Sequence, residues 1–296
     1  MTLRAATRGS ALARWQTDHV ASLLGGDVDI EVVVVQTEGD RRQDVPVDQI
    51  GGLGVFVKEV QAAVLEGRAD FAVHSAKDLP SSAEFQPDGL VIACVPERAD
   101  PRDALVGSTL DDLPPGALVA TGSVRRRAQL AHVRPDLTFA DLRGNIDTRL
   151  AKASQFDAIV MAYAALVRLE RTDAVAELLD PLVMLPQVGQ GALAVECRDD
   201  DEETKALLAA VEHRVSRLAV DTERAFLATL GGGCDLPVGA LASVDDSDRI
   251  DVTGLLATYD GRRAVRGSCH GTDPAVVGGD LASYLLDGCG GRTFLA

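Results

Sequence analysis

The order strand, Ala-Thr, serine, helix occurs twice in this chain. LRAATRGSALARWQTDHV supplies the first copy, and ALVATGSVRRRAQLAHV (117–133) supplies the second. In each copy a short apolar run leads to a serine, Ser10 or Ser123, that can cap the helix behind it. A second pair of segments agrees. KEVQAAVLEGRADFAVHSAKDL (58–79) and TRLAKASQFDAIVMAYAAL (148–166) both run from a helical period into an apolar strand opened by aspartate. A duplicated α/β unit predicts two similar domains with mainly parallel sheets and a cleft between them. In such sheets ligands sit at strand C-termini, where helix N-termini turn their positive ends toward anions.

With 296 residues the chain exceeds one ordinary core, so two or three domains are expected. The first half alternates strand and helix. IEVVVVQ (30–36) reads as a β-branched buried strand, VFVKEVQAAVLEG (55–67) as a helix ending at Gly67, and ADFAVHS and GLVIACV as strands. After Pro186, QVGQGALAVECR is a glycine-punctuated turn entering a strand, followed by helices over 201–213 and 215–230. The last sixty or so residues alternate strands with one amphipathic helix, a small α+β domain. The division is 1–97 with 190–214, then 98–189, then 215–296.

Net charge is −16, with 32 of 45 acids Asp and 25 of 29 bases Arg. The acids are scattered, which favours a hydrated surface suited to high salt over an acidic partner-binding face. A polyanion would meet a like-charged body, so no nucleic-acid partner is expected. The longest strongly apolar runs, such as 32–35, fall far short of the ~18 residues of a membrane span. The N-terminal segment has interspersed basic residues and no apolar stretch, which argues against a signal peptide and for the cytoplasm. Nothing suggests an obligate interface, and a monomer is expected. Five cysteines, an odd number, argue against a disulfide framework, and no His/Cys spacing suggests a metal. Cys94, Cys197 and Cys269 read as small buried hydrophobes in strands.

Three features carry chemistry. Cys234 follows three glycines, 231–233, in LGGGCDLPVGA, a turn that leaves room for a group attached to the thiol. Arg125, Arg126, Arg127 and Arg134 occur with no acid between Thr121 and Pro135, and Arg143, Arg149 and Arg168 follow. Guanidinium forks match carboxylates and phosphates, although a solvated basic helix face reads the same by spacing. Arg8, Arg125 and Arg126 lie at strand-to-helix junctions of both units, which favours a small ligand with several negative groups. VHSAKDLP places His74, Ser75, Lys77 and Asp78 at a strand end. Asp78 reads as a catalytic carboxylate, or else as a cap or partner of Lys77; His74 reads as a packing histidine.

In order along the chain stand ATRGSALARWQ, GLGVFVKE, VHSAKDLP, DPRDAL, TGSVRRRAQL, LRGNIDTRL, LPQVGQGALAVECR and GGGCDLPVGA. Together they resemble the porphobilinogen deaminase (hydroxymethylbilane synthase) family over nearly the whole length. The resemblance implies two type II periplasmic-binding-protein-like α/β domains flanking a cleft, plus a small α+β third domain. It implies a transferase that joins four porphobilinogen units head to tail on a dipyrromethane cofactor and releases the linear tetrapyrrole by hydrolysis. The cofactor would be held by a thioether to Cys234. Asp78 matches the catalytic aspartate. Ser75, Lys77, Thr121, Ser123, Arg125 and Arg126 match residues that hold cofactor carboxylates. Arg8, Ser10, Gln16, Arg143, Arg149 and Arg168 match contacts to substrate or the second cofactor ring. Two positions depart from common bacterial relatives: Leu53 stands for a lysine and Glu38 for an arginine, in or beside a loop over the cleft. The other reading of the duplicated units is a non-catalytic binding protein for a small polyanionic solute; that reading has no use for a thiol on a glycine turn.

Overall fold

The computed structural model describes residues 2–26, 28–37, 57–231 and 236–294. Cys234, Glu38 and Leu53 lie outside the described residues. The chain divides into two compact units, Met1–Ala99 with Ala192–Arg217, and Asp100–Gly191 with Leu218–Ala296.

Strands and helices are numbered along the chain. The first unit holds β1 (Thr2–Arg8), α1 (Ala11–Leu24), β2 (Asp29–Val35), α2 (Lys58–Leu65), β3 (Phe71–Ser75) and β4 (Leu90–Cys94). Strand β10 (Leu193–Arg198) and helix α6 (Glu202–Ala209) complete it, and α7 (Arg214–Thr229) begins there. Its sheet has the order β2-β1-β3-β10-β4. Alternate residues face opposite sides. Leu3, Ala5, Phe71 and Val73 join one core cluster, while Ala6 and Ala72 join another with Val60 and Val64 of α2. Ser10 caps α1 as the sequence implies, its Oγ accepting from the Ala13 N–H at 3.3 Å.

The second unit repeats this plan with β5 (Asp103–Val106), β6 (Leu118–Ala120), α3 (Val124–Val133), β7 (Thr138–Ala140), α4 (Ile146–Lys152), β8 (Ala158–Ala162), α5 (Tyr163–Arg168) and β9 (Val175–Leu178). The order is β7-β6-β8-β5-β9, the same arrangement position by position. The same unit holds a three-stranded antiparallel sheet of β11 (Val238–Val244), β12 (Ile250–Ala257) and β13 (Ala264–Gly271). Helices α7 and α8 (Pro274–Ser283) cover it with Phe226 and Leu281, joined by Leu285 from the π-helical turn that follows α8. Gly278 lets these helices meet: a Cβ there would collide with the Thr222 carbonyl.

Two expectations are corrected. The sheets are mixed rather than mainly parallel. β1 runs parallel to β2 and β3, but β10 is antiparallel to β3 and β4; likewise β6 is parallel to β7 and β8, while β5 is antiparallel to β8 and β9. Neither antiparallel strand follows a sheet neighbour through a βαβ crossover: β10 returns to the first sheet after the whole second one, and β5 opens the second sheet well ahead of its partners β8 and β9. The valine-rich segment is also not a buried strand. As β2 it is the sheet edge, with Val34 50% exposed.

Cys94 and Cys197 are buried in β4 and β10, where burial pushes their thiols up to about 12 and about 11. No described helix is long and apolar enough to cross a membrane. Among the described residues no cluster of His, Cys, Asp and Glu could hold a metal ion.

Candidate active site

In the first unit, β3 ends at Ser75 and passes into a single 3-10 turn, Ala76–Asp78. The Ala76 N–H donates to the Ala192 carbonyl at 3.0 Å, which fixes where that turn leaves the sheet. Asp78 therefore stands at the strand end, half-buried, and it has no ion pair among the described residues. A small pocket brings Asp78 together with Ser75, Arg8 and Gln16, over a wall of valines. Gln16 lies on the buried face of α1 and donates from Nε2 to Ser75 Oγ at 2.9 Å. Ser10 spends an oxygen lone pair on its cap and keeps its hydroxyl proton for another partner. Lys77 is half-buried on the same turn as Asp78.

His74 forms part of the pocket floor. It is buried, with Nε2 3.1 Å from Glu196 Oε2, and Gln61 Nε2 donates to both Glu196 oxygens at 2.9 and 3.3 Å. This placement fits a packing histidine. Glu196 and Gln61 were not foreseen as neighbours, because they come from β10 and α2, far apart in sequence.

In the second unit the corresponding junction, β6 to α3, carries Thr121, Ser123, Arg125 and Arg126. Thr121 is buried; its N–H donates to the Ala140 carbonyl at 2.9 Å, and its Oγ1 accepts from the Ser123 N–H at 3.2 Å. Ser123 Oγ caps α3 by accepting from the Arg126 N–H at 3.4 Å. The three successive arginines divide. Arg127 is exposed, its guanidinium 5.8 Å from the Phe139 ring centre. Arg125 and Arg126 are 2% and 6% exposed, which removes the solvated-face reading for both.

Their countercharge is Asp103, fully buried at the start of β5. Arg126 donates from Nε and Nη2 to Asp103 Oδ1 at 3.0 and 2.7 Å, and from Nη1 to the Val160 carbonyl at 2.9 Å. Arg125 Nη1 lies 2.7 Å from Asp103 Oδ2 and donates to the Leu185 carbonyl at 2.6 Å. Gln190 Nε2 donates to Asp103 Oδ1 at 2.9 Å and to the Pro101 carbonyl at 2.8 Å. Burial alone would raise the Asp103 carboxyl, but the two guanidiniums outweigh it and hold that group well below the usual carboxylate range. Burial lowers Arg125 in turn, against the pull of Asp103. A second small pocket is lined by Ser123, Arg125 and Gln187 together with Leu227, Leu236 and Val238.

Arg143, Arg149 and Arg168 line neither pocket. Arg149 Nε donates to the Gly144 carbonyl at 2.8 Å, where φ is +113° and a glycine is required. Arg143 is half-buried, with no ion pair among the described residues. Arg168 ends α5, 7% exposed; Nη2 donates to the Gly191 carbonyl at 2.7 Å, and burial lowers its pKa to about 10. Asp103 and Gln190 are the residues that sequence reasoning passed over. Their motifs, DPRDAL and QVGQG, are visible, and a charge count offers the missing signal: two adjacent arginines behind a buried cap need a carboxylate.

Comparison with known proteins supplies a family. The model "Porphobilinogen deaminase, dipyromethane cofactor binding domain" matches residues 3–206, and "Porphobilinogen deaminase, C-terminal domain" matches 217–287. The porphobilinogen deaminase of Brevibacillus brevis is 46% identical over 288 residues, 95% of this chain and 92% of that protein. That of Roseiflexus sp. is 48% identical over 305 residues, 100% and 99% of the two. Among solved structures, a putative methionine-binding lipoprotein from Bacillus subtilis is 12% identical with TM-score 0.44, covering 73% of this chain and 92% of its own. Lipoprotein Tp32 from Treponema pallidum is 12% identical with TM-score 0.43, covering 71% and 90%.

Proposed function

Because the chain belongs to the porphobilinogen deaminase family, we propose that it is the transferase that builds a linear tetrapyrrole from four porphobilinogen units on a dipyrromethane primer. Each unit loses ammonia as its new bond forms, and water releases the finished chain from the primer. The alternative, a solute-binding protein, has no observation in its favour.

The residues fit such a cofactor. Arg125 is buried yet its Nε and Nη2 have no hydrogen-bond partner, an arrangement that suits a group bearing carboxylates. When bound, the dipyrromethane supplies the growing end to which units are added. We assign its thioether to Cys234, and its carboxylates to Ser75, Lys77, Thr121, Ser123 and Arg125. Arg126, whose three nitrogens are all bonded inside the fold, adds positive charge behind them. Arg8, Ser10, Gln16, Arg143, Arg149 and Arg168 are assigned to substrate or to the second ring. Asp78 is assigned to the pyrrole nitrogens, which it would hold from the pocket at the end of β3. A fixed anion there stabilises the cation left when ammonia departs, an effect worth about 10²–10³ in rate for one well-placed group.

The observation that carries this reading is the pocket in which Arg8, Gln16, Ser75 and Asp78 meet at the end of β3. Three domains, with Cys234 on the third (215–296), a monomeric state, a cytoplasmic location and an acidic hydrated surface complete the proposal. Intact mass is the test. Protein made in a host that supplies the cofactor gains two porphobilinogen units less two ammonias, and Cys234→Ser does not. An unmodified mass for the parent protein rejects the reading.

A further inference from the structure

Adjacent buried arginines pose a physical problem. Two guanidiniums placed against one carboxylate leave a net positive charge inside the second unit. That charge needs a further anion or a large desolvation cost must be met. The hydrogen bonds show where the anion belongs. Arg126 is spent on Asp103 and Val160. Arg125 is held at one corner only, Nη1, by Asp103 and the Leu185 carbonyl. Its unpartnered nitrogens are Nε and Nη2. Those two carry the parallel N–H pair with which a guanidinium clasps a carboxylate bidentately. Arg125 also lines the pocket of Ser123, Gln187 and Leu236, and Leu236 follows the Cys234 turn closely in the chain.

Asp103 is in turn held rigid. Gln190 bonds it from the side, and Gln129 fixes the Leu185 carbonyl and N–H at 3.0 and 2.8 Å, so both anchors of Arg125 Nη1 are themselves anchored.

We propose that Asp103 is a positioning residue for cofactor capture: by holding Arg125 at Nη1 it presents the Nε–Nη2 edge to the pocket, where that edge takes one carboxylate. This rests on the reading of the chain as a dipyrromethane-bearing deaminase. Asp103 touches no substrate; it acts through Arg125. The net charge of the cluster suits a single carboxylate, so one acidic side chain of the cofactor is bound here and the others elsewhere.

The test is a double-mutant cycle on cofactor loading. Apoprotein is incubated with porphobilinogen and the mass gain is followed with time, alongside thermal melting. Arg125→Lys keeps the charge and loses the fork, and loading slows by at least about tenfold. Asp103→Asn slows it by a similar factor. Asp103→Asn added to Arg125→Lys slows it no further than about threefold, the non-additivity expected of two side chains in one ion-pair network. A merely structural Asp103 would give losses of loading that multiply, and that result overturns the proposal. So does normal loading by Asp103→Asn. Should Asp103→Asn fail to fold, Asp103→Glu keeps the charge but shifts the carboxylate; slowed loading supports the proposal and parental loading overturns it. The parent protein is the control for the underlying reading. If it gains no mass, the deaminase assignment has failed; if it loads and the cycle is multiplicative, only the role of Asp103 has.

Discussion

Gln16 Nε2 donates to Ser75 Oγ at 2.9 Å, tying the buried face of α1 to the end of β3 just ahead of Asp78. The bond joins two side chains that both border the pocket. Gln16→Ala removes it and leaves Ser75 free to rotate. The expected result is a KM raised several-fold with a smaller change in kcat, and a stability loss of about 1 kcal/mol. Steady-state kinetics with porphobilinogen and a urea titration measure the two separately.

Asp78→Ala is expected to fold and to carry the dipyrromethane mass, yet to release almost no product, with kcat down by at least about 10²-fold. Intact mass and a product assay on the same sample check this. Normal turnover would show that the carboxylate is misassigned.

Asp103 imposes a pH dependence of definite sign. Its folded pKa is depressed by Arg125 and Arg126 despite burial, below the unfolded value of about 3.9. Its contribution to stability is thus fully present above about pH 5 and is lost as pH falls toward the folded value. Urea midpoints measured from pH 7 to 3 should drop along this acid limb, and Asp103→Asn should flatten the limb.

The thiols of Cys94 and Cys197 have the opposite sign. Burial raises them to about 12 and about 11 in the folded protein, against about 8.5 unfolded. Their contribution is full below about pH 8.5 and is lost as pH rises through the folded values. At pH 8 iodoacetamide should leave both unlabelled in native protein and label both in urea, as read by peptide mass.

Gly278→Ala tests the packing of the antiparallel sheet. Alanine ordinarily favours a helix over glycine, but here its methyl would strike the Thr222 carbonyl of α7. The collision dominates, and a loss of about 1–3 kcal/mol is expected in chemical denaturation.

What was legible in the sequence was local. Ser10 and Ser123 announced their helices through the cap position, and both caps are formed. The duplication survives as two sheets of one strand order. What was not legible depends on partners remote in the chain. Nothing near Val32–Val35 says that their strand takes an edge, since that follows from β1 and β3 occupying the centre. Nothing in TGSVRRRAQL says that Arg126 turns inward while Arg127 turns out. That is settled by Asp103, twenty-three positions away, and by the Val160 carbonyl on β8. Asp78 was found by its place at a strand end, whereas the Glu196 carboxylate beside His74 arrives from β10, beyond the whole second sheet.

The place of β10 between β3 and β4 has a consequence for biosynthesis. The N-terminal sheet lacks its fourth member until the ribosome has translated as far as Arg198. The sheet of β5 to β9 needs nothing beyond Leu178 and can close earlier. Until then β3 and β4 carry open edges, the hazard that invites mispairing in a nascent chain. Of the two α/β sheets, the one begun first can therefore be completed only after the one begun second.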